Sequence, residues 1–329
     1  MEFGFVFNRI AGDPVGPNRS FVDWIGDAEK IMDTASRAGF SFIALPGRQS
    51  LLTYARLSVA SGDLRVSTEV LTMPMLSAVE VAAAAVNVDH MTGGRLDLGI
   101  GLGYHPVELE AAGMTRADRV PNFEEGLVVM KALWTGEAVT HQGKYYNFNA
   151  LQIPQTPFQK PYPPIWMSSQ SHGASARSAR LCDGVVVAPM PSFDDLKALV
   201  QTFNEEWSKH HSEPCTRVGA WRGIVVGKDS KDAHEKARED EYMRFESSHR
   251  YRVGRMEEAT TVRLPMNLEE LPTFTILGNY QECAEQLAWC KDQVGLTRVT
   301  LNIHNTFSSL SEKLEWIQAF GEEVIPKVT

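Results

Sequence analysis

Short runs of apolar residues alternate along this chain with longer segments in which apolar residues recur every three or four positions. The short runs are typical of buried strands, and the periodic segments are typical of amphipathic helices. The pattern predicts eight strands: Glu2–Phe7, Phe42–Leu45, Arg65–Leu71, Leu96–Ile100, Ile165–Met167, Val185–Val187, Val218–Val226 and Arg298–Ile303. Because helical segments separate them, the strands are expected to be parallel. Eight such units favour a closed (β/α)8 TIM barrel over an open doubly wound sheet.

Two stretches interrupt this alternation within what is otherwise expected to be one domain spanning residues 1–329. Glu137–Phe148 contains the sequence G-K-Y-Y-N-F and is predicted to form a hairpin, which a proline-rich connector follows. Residues 137–163 are therefore predicted to be an insertion after the fourth strand. Residues 250–275 mix charged and apolar positions, and they are predicted to be an insertion after the seventh strand that acts as a lid or a mobile segment.

Composition narrows the possible partners. The formal net charge is −9 and the sequence pI is about 5.5, so a nucleic acid or an anionic membrane is not an expected partner. The four cysteines form no C-x-x-C pair, and neither a disulfide framework nor a metal site is predicted. The first residues, M-E-F-G-F-V-F, lack the basic start of a secretion signal, and no apolar run has the length of a membrane span. We expect a cytoplasmic protein.

The segment from Asp89 to Pro106 is the most informative part of the sequence. It combines a helix end, a tight turn, a short apolar strand and the glycines Gly99, Gly101 and Gly103. Because these glycines alternate, they lie on one side of the strand and leave bare main chain there, against which a flat ring could lie. The alternative is that they only let a barrel strand bend. The spacing differs from the dinucleotide pattern G-x-G-x-x-G, so a Rossmann interpretation is weak.

A second segment, from Trp166 to Gly184, runs from a short strand into a serine-rich turn and then an alanine-rich helix. Hydroxyl groups together with the first N–H groups of a helix suit a phosphate. The alternative is ordinary capping of the helix by Ser171, which requires no ligand. Between the two segments, Arg119 precedes F-E-E-G and is predicted to pair with Glu124 or Glu125.

Four segments in this order resemble the bacterial luciferase-like flavin monooxygenase family over nearly the whole chain. They are Gly39–Ala44 (G-F-S-F-I-A), Met91–Pro106, Phe123–Glu137 and the serine-rich turn that continues to L-C-D-G. The resemblance implies a (β/α)8 barrel that binds FMN, or in a sister branch a deazaflavin, at the carboxyl ends of its strands.

The resemblance also implies which residues contact the cofactor. Gly101, Gly103 and Tyr104 correspond to the wall beside the flavin. Thr72 and Met73 correspond to the end of the third strand, where the family often places a strained peptide; Pro74 makes a cis X-Pro bond a further possibility. Met167 is expected in the apolar pocket wall. The phosphate-binding turn corresponds to Ser168, Ser169, Ser171, His172, Gly173 and Ala174.

Three residues are candidates for the chemistry. His105 and His304 follow the fourth and eighth strands, and histidine is the natural acid or base near neutral pH. Arg48 lies in L-P-G-R-Q-S after the second strand, where members of the family commonly have an acidic residue and one or two histidines. Since arginine keeps its charge, Arg48 is predicted to bind an anion and not to shuttle a proton.

The function implied by the resemblance is a monooxygenase that uses reduced FMN and O2. In this family a C4a-(hydro)peroxyflavin transfers one oxygen atom to a small organic substrate. No NAD(P)H-binding motif is evident, so a separate NAD(P)H-dependent flavin reductase is the expected partner, and a homodimer is the expected assembly. Two alternatives stay open: a deazaflavin-dependent dehydrogenase or reductase that transfers hydride, and a non-catalytic flavin-binding subunit.

Overall fold

Eight parallel strands close into a barrel in the computed structural model of this protein. The residues that the structure describes are 1–6, 21–45, 51–60, 62–104, 106–238, 268–303, 307 and 309–328. Their strands are β1 (Glu2–Val6), β2 (Phe42–Leu45), β3 (Arg65–Thr68), β4 (Leu71–Thr72), β5 (Leu96–Gly101), β6 (Val139–Gln142), β7 (Asn147–Leu151), β8 (Ile165–Ser169), β9 (Gly184–Val187), β10 (Val218–Val226), β11 (Thr275–Gly278) and β12 (Arg298–Asn302). The barrel follows the order β1-β2-β3-β5-β8-β9-β10-β12 and returns to β1. The predicted (β/α)8 barrel is confirmed.

The helices between the strands lie outside the barrel. They are α1 (Phe21–Arg37), α2 (Leu51–Ser58), α3 (Ala78–Met91), α4 (Pro106–Ala111), α5 (Arg119–Leu133), α6 (His172–Leu181), α7 (Phe193–Trp207), α8 (described over 230–238), α9 (Tyr280–Trp289), α10 (Leu310–Glu323) and α11 (Ile325–Val328). Local sequence sets their ends. In α9, for example, the Asn279 side chain accepts from the Glu282 N–H and the Glu282 side chain accepts in return. Along the described part of the chain, no helix is both long and apolar enough to cross a membrane.

Two strands differ from the predicted pattern. The predicted strand Arg65–Leu71 is divided, because a cis peptide bond joins Glu69 to Val70 between β3 and β4. β4 then pairs with the end of β5. The second difference is β11, which was not predicted and pairs in parallel with the carboxyl-terminal half of β10. Its T-I-L-G sequence is only one short apolar run, and it begins at the last residue of the predicted insertion 250–275.

The two insertions are described to different extents. β6 and β7 form an antiparallel hairpin within residues 137–163. The Glu125 carboxylate on α5 anchors this hairpin, since it accepts the backbone N–H groups of Lys144, Tyr145 and Tyr146 at 2.8–3.1 Å. Most of the predicted insertion 250–275 lies outside the described residues. Its last part forms a 3-10 helix, Leu268–Thr273, and the start of β11.

The two faces of the barrel sheet differ in chemistry. Outward side chains such as Phe3, Phe5 and Ile43 are buried against the helices in the main apolar core. The inward face carries a buried ionic layer near the amino-terminal end of the strands. In this layer Asp97 accepts from Arg65 and from Arg298, each at 2.6 Å. Burial alone would raise the pKa of Asp97, but the two arginines hold it below its usual range.

β3 and β5 approach each other closely at Gly99, and a substitution there tests this contact. A Cβ atom built on Gly99 would overlap the carbonyl oxygen of Thr68, which is main chain and cannot rotate away. We expect Gly99→Ala to lower the free energy of unfolding by about 1–3 kcal/mol or more. Gly26→Ala is the matched control, because Gly26 lies inside α1 and a Cβ there has no atom within 4 Å. That change is expected to raise stability by up to about 1 kcal/mol. Denaturant unfolding of both variants measures the difference, and equal effects would contradict this account of the strand crossing.

Candidate functional site

The glycines at the end of β5 lie against the segment that crosses from β3 to β4. A Cβ on Gly101 would lie 2.8 Å from the Val70 side chain, and one on Gly103 would overlap the Thr72 methyl group. The main chain at these glycines is therefore covered by Val70 and Thr72, and the predicted bare surface is wrong in this respect. Gly103 also has a φ of +71°, which favours glycine. The alternation serves first to bring the two strands together, and Val70 forms the surface where a ring was expected to meet glycine.

The unusual peptide bond of this segment is not where the sequence suggested. The cis bond lies between Glu69 and Val70, whereas the prediction placed a strained peptide at Thr72 and Met73 or a cis bond before Pro74. Thr72 is half-buried and pairs with Gly101, so it lies at the barrel mouth. Met73 does not, since it is 1% exposed and packs in the outer core. Its side chain therefore does not face the barrel mouth, and the contact of Met73 with the cofactor stays a prediction.

β8 brings the serine-rich turn beside this segment. Because β5 and β8 pair in register through Ile100 and Met167, Gly101 and Ser168 follow next to each other. A Cβ on Gly101 would lie 3.7 Å from Cβ of Ser168. The two segments that the sequence singled out are thus neighbours at one end of the barrel. Met167 points outward into the main core with 0% exposure, so its side chain does not line the barrel interior, and its role in a cofactor pocket stays a prediction.

Within the turn, the hydroxyl groups have different surroundings. Ser169 is fully buried and its hydroxyl lies 2.8 Å from that of Ser175, so it shapes the turn from inside. The predicted direct contact of this hydroxyl with a phosphate does not fit that burial. Ser171 caps α6 by accepting the N–H of Ala174 at 3.3 Å. The capping alternative is therefore realised by Ser171.

The first turn of α6 is nevertheless open to an anion. The first N–H groups of a helix have no acceptor within it, and the helix dipole adds positive potential there. His172 and Gly173 are exposed, and a Cβ built on Gly173 would have no neighbour within 4 Å. The His172 ring is held by Thr202, with Nδ1 2.7 Å from the hydroxyl. Ala174 contributes its N–H to the Ser171 cap and so completes the turn.

Three arginines, Arg116, Arg119 and Arg177, are close enough to repel one another, and the sequence analysis did not identify this cluster. Arg119, at the start of α5, donates to the Gly103 carbonyl at 2.7 Å, and does not pair with Glu124 or Glu125 as predicted. Instead, Nε of Arg177 on α6 forms an ion pair with Oε1 of Glu124 at 3.0 Å. Burial and repulsion by Arg116 and Arg177 lower the pKa of Arg119. The signal in the sequence was the presence of Arg116 and Arg119 within four residues at the start of α5.

Beside this cluster, Tyr104 opens onto the surface. It is 41% exposed and borders a cavity of about 440 Å3. Leu109 and Met114 supply apolar wall, and Arg116 and Arg119 supply positive charge. The predicted flavin-wall residue Tyr104 thus lies at the outer rim of the mouth.

Glu69 is the second residue that the sequence analysis missed. It is 5% exposed, and its Oε1 atom accepts from the Thr300 hydroxyl at 2.8 Å. Its Oε2 atom is buried with no hydrogen-bond partner in the described part of the chain. Burial raises the pKa of Glu69 to about 7, although Arg298 and the Thr300 hydrogen bond act to lower it. The continuous strand predicted over Arg65–Leu71 hid this residue, because the alternation gives no sign of the cis bond.

Arg48, His105 and His304, the candidates for the chemistry, lie outside the described residues. Their roles remain predictions. The described strands β2, β5 and β12 end immediately or shortly before them.

Comparison with known proteins gives one family and a consistent fold. The sequence model of the luciferase-like monooxygenase family matches residues 1–298. The 4-hydroxyprotoasukamycin monooxygenase of Streptomyces nodosus subsp. asukaensis is 26% identical over 296 residues, which are 86% of this chain and 78% of that protein.

Two solved structures are similar over their full lengths. The oxygenating constituent of 3,6-diketocamphane monooxygenase from Pseudomonas putida, solved with FMN, has a TM-score of 0.81 at 17% identity and covers 100% of this chain and 99% of that one. An F420-dependent secondary alcohol dehydrogenase, solved with an F420-acetone adduct, has a TM-score of 0.76 at 16% identity with coverages of 100% and 99%. At these identities both support the barrel fold alone.

The protonation of Glu69 is testable through stability. Its pKa is about 7 in the folded protein against an ordinary value of 4.5, so the folded state binds the proton more tightly. The Glu69 contribution is fully present below about pH 4.5 and is lost as the pH rises to about 7, by about 3 kcal/mol in all. Glu69→Gln cannot titrate. Relative to the variant, the wild-type protein is therefore expected to lose stability across this range. Urea unfolding at a series of pH values measures the difference, and a difference that stays constant with pH would contradict the raised pKa.

Proposed function

Because the chain belongs to the luciferase-like monooxygenase family, we propose that it is the oxygenase component of a two-component flavin-dependent monooxygenase. It acts with reduced FMN and O2 on a small organic substrate. One observation carries the proposal: the β3–β4 segment with Val70 and the serine turn before α6 meet through Gly101 and Ser168 at the carboxyl ends of the strands. One ribityl phosphate can bridge two such neighbouring places.

The residues around α6 fit the phosphate end of FMN. The N–H groups of His172 and Gly173 and the hydroxyl of Ser168 offer donors on the open side of the turn. Arg119 adds a permanent positive charge close to Gly103. Helix amides and a guanidinium together are the usual means of holding a phosphate dianion.

The residues at the mouth fit the ring end. Bound reduced FMN supplies the chemistry with O2, since it provides the electrons that activate oxygen. The protein has to keep water from this site, because water and stray protons divert the reduced cofactor to hydrogen peroxide. The inward side chains Val6, Ala44 and Val186 are apolar and at most 5% exposed. Together with Val70, they line the upper barrel with groups that cannot hold water.

The proposal includes two partners. A separate NAD(P)H-dependent reductase supplies reduced FMN; in support, the similar Pseudomonas putida protein is called an oxygenating constituent. The second partner is another copy of this chain in a homodimer, which sedimentation would test.

A deazaflavin-dependent hydride transfer is the second candidate function. The similarity to the F420-dependent alcohol dehydrogenase favours it, with a TM-score of 0.76. Both cofactors have a phosphate on the same side chain of the ring, so the α6 turn suits either.

A binding and oxygen experiment separates the candidates. The protein is titrated without oxygen with reduced FMN and, separately, with reduced deazaflavin, and the oxygenated product is then measured after O2 is added with a panel of organic substrates. We expect reduced FMN to bind and at least one substrate to give an oxygenated product. Preferential binding of the deazaflavin would favour the hydride-transfer function. Binding of reduced FMN without any oxygen-dependent product would favour a non-catalytic subunit.

The role of Arg119 in phosphate binding gives a sharper test. Loss of one charge-assisted contact costs about 1.5–3 kcal/mol, so Arg119→Met is expected to weaken FMN binding about 10-fold to 100-fold. Riboflavin lacks the phosphate, and its affinity is expected to stay within about twofold. Arg56→Met is the matched control, because Arg56 pairs with Glu29 on the surface far along the chain from α5 and α6. Equal losses for FMN and riboflavin would mean that Arg119 supports the fold and not the phosphate.

A further inference from the structure

The interior of the barrel contains two acidic side chains with different partners. Asp97 is 2% exposed and accepts from two arginines, Arg65 and Arg298. Glu69 is 5% exposed and has one short hydrogen bond, from Thr300. Asp97 is therefore held as a carboxylate. Glu69, in contrast, accepts no hydrogen bond from an arginine among the described residues.

The groups that face Glu69 come from three strands. Arg298 and Thr300 lie on β12, Asp97 lies on β5 and Ser67 lies on β3. The Arg298 guanidinium donates to Asp97 at 2.6 Å and stacks 3.4 Å above the Phe42 ring, so its position is set by those neighbours. Its Nε and Nη2 atoms, like Oε2 of Glu69, are buried without a hydrogen-bond partner among the described residues. The Glu69 carboxyl group and the Arg298 side chain thus both contain polar atoms that could still form hydrogen bonds.

The main chain of Glu69 connects this interior to the proposed ring site. Its N–H donates to the Leu45 carbonyl at the end of β2, at 2.9 Å. The next residue, Val70, is the one whose side chain lies against Gly101. A charge placed on the mouth side of the half-buried Val70 therefore lies one residue along the chain from the buried Glu69 side chain.

We propose that Glu69 is the proton-holding residue of this barrel and takes up a proton from solvent when the reduced cofactor binds. This inference rests on the proposed function. Reduced flavin above neutral pH is an anion at ring nitrogen N1, and its approach disfavours a second negative charge nearby. The carboxylate then becomes a neutral carboxylic acid by binding one H+, and charge is balanced without movement of Asp97 or Arg298.

The expected coupling is large enough to measure. Two unit charges about 10 Å apart, with an effective dielectric of about 20, change a protonation equilibrium by about tenfold. Because Glu69 titrates near pH 7 in the free protein, binding near pH 7.5 is expected to draw in about half a proton per flavin. In contrast, oxidised FMN carries no ring charge. Its binding is expected to cause the same proton uptake in the wild-type protein and in Glu69→Gln.

The test is an oxygen-free titration in weak buffer near pH 7.5, with an indicator dye that counts protons taken up for each reduced FMN bound. Glu69→Gln removes the titrating group, and the difference from wild type cancels protons exchanged by the flavin itself. Glu285→Gln is the matched control, since Glu285 is exposed on α9 and accepts from Gln281. We expect the Glu285 variant to equal wild type, and the Glu69 variant to lack the half proton.

A flavin-free measurement accompanies it. The infrared carbonyl band of a protonated carboxylic acid is expected at about pH 6, is lost by about pH 8, and is absent from Glu69→Gln. Thr300→Val removes a hydrogen bond that favours the carboxylate, so the band is expected to persist to higher pH in that variant. This second variant keeps the test open if Glu69→Gln folds poorly.

The outcomes are distinct. Equal proton uptake by wild type and Glu69→Gln, with both binding reduced FMN, overturns this inference and leaves the proposed function standing. Absence of a pH-dependent carboxylic band in the wild-type protein overturns it as well. Failure of the wild-type protein to bind reduced FMN overturns the proposed function and, with it, the coupling.

Discussion

The close crossing of the β3–β4 segment over β5 is the constraint on which the rest of the site depends. Thr68, Val70 and Thr72 occupy the space that side chains on Gly99, Gly101 and Gly103 would need. This contact sets the position of Val70 at the mouth and directs Glu69 into the interior. The end of β5 also pairs with β8, which places the serine-rich turn next to Gly101. The same glycines therefore contact both the Val70 segment and the serine-rich turn, the two parts of the proposed cofactor site.

Charged side chains inside the barrel lie at two levels along its axis, and only the acidic group of the second level is expected to change its protonation. Near the amino-terminal ends of the strands, Asp97 accepts hydrogen bonds from both Arg65 and Arg298. Closer to the carboxyl ends of the strands, Glu69 is buried and its pKa is raised to about 7. The barrel mouth beyond it is lined by apolar side chains. Buried ionic groups are costly unless paired. The layer of Arg65, Asp97 and Arg298 is thus a structural feature of the fold, while Glu69, with one unpaired carboxyl oxygen among the described residues, is where a ligand can change the protonation state at small energetic cost.

Much of the fold could be predicted from the sequence, because strands buried on both faces produce apolar runs that helices separate. The failures have physical reasons. A cis bond leaves no trace in the apolar pattern, so Glu69 was hidden within a predicted strand. Side chains alternate along a strand, and a one-residue difference places Met167 in the outer core beside the inward Ser168. Arg119 was assigned to glutamates close to it in the sequence, whereas its partner in the fold is the carbonyl of Gly103. Arg48, His105 and His304 stay predictions, and they concern the substrate chemistry, which varies freely on this fold.

The most direct measurement of the central claim is a crystal structure of the protein with FMN. The account predicts the phosphate at the first turn of α6, within hydrogen-bond distance of the His172 and Gly173 amides, and the isoalloxazine ring against Val70. A phosphate bound elsewhere, or a ring at the opposite end of the strands near Trp207 and His211, would contradict it.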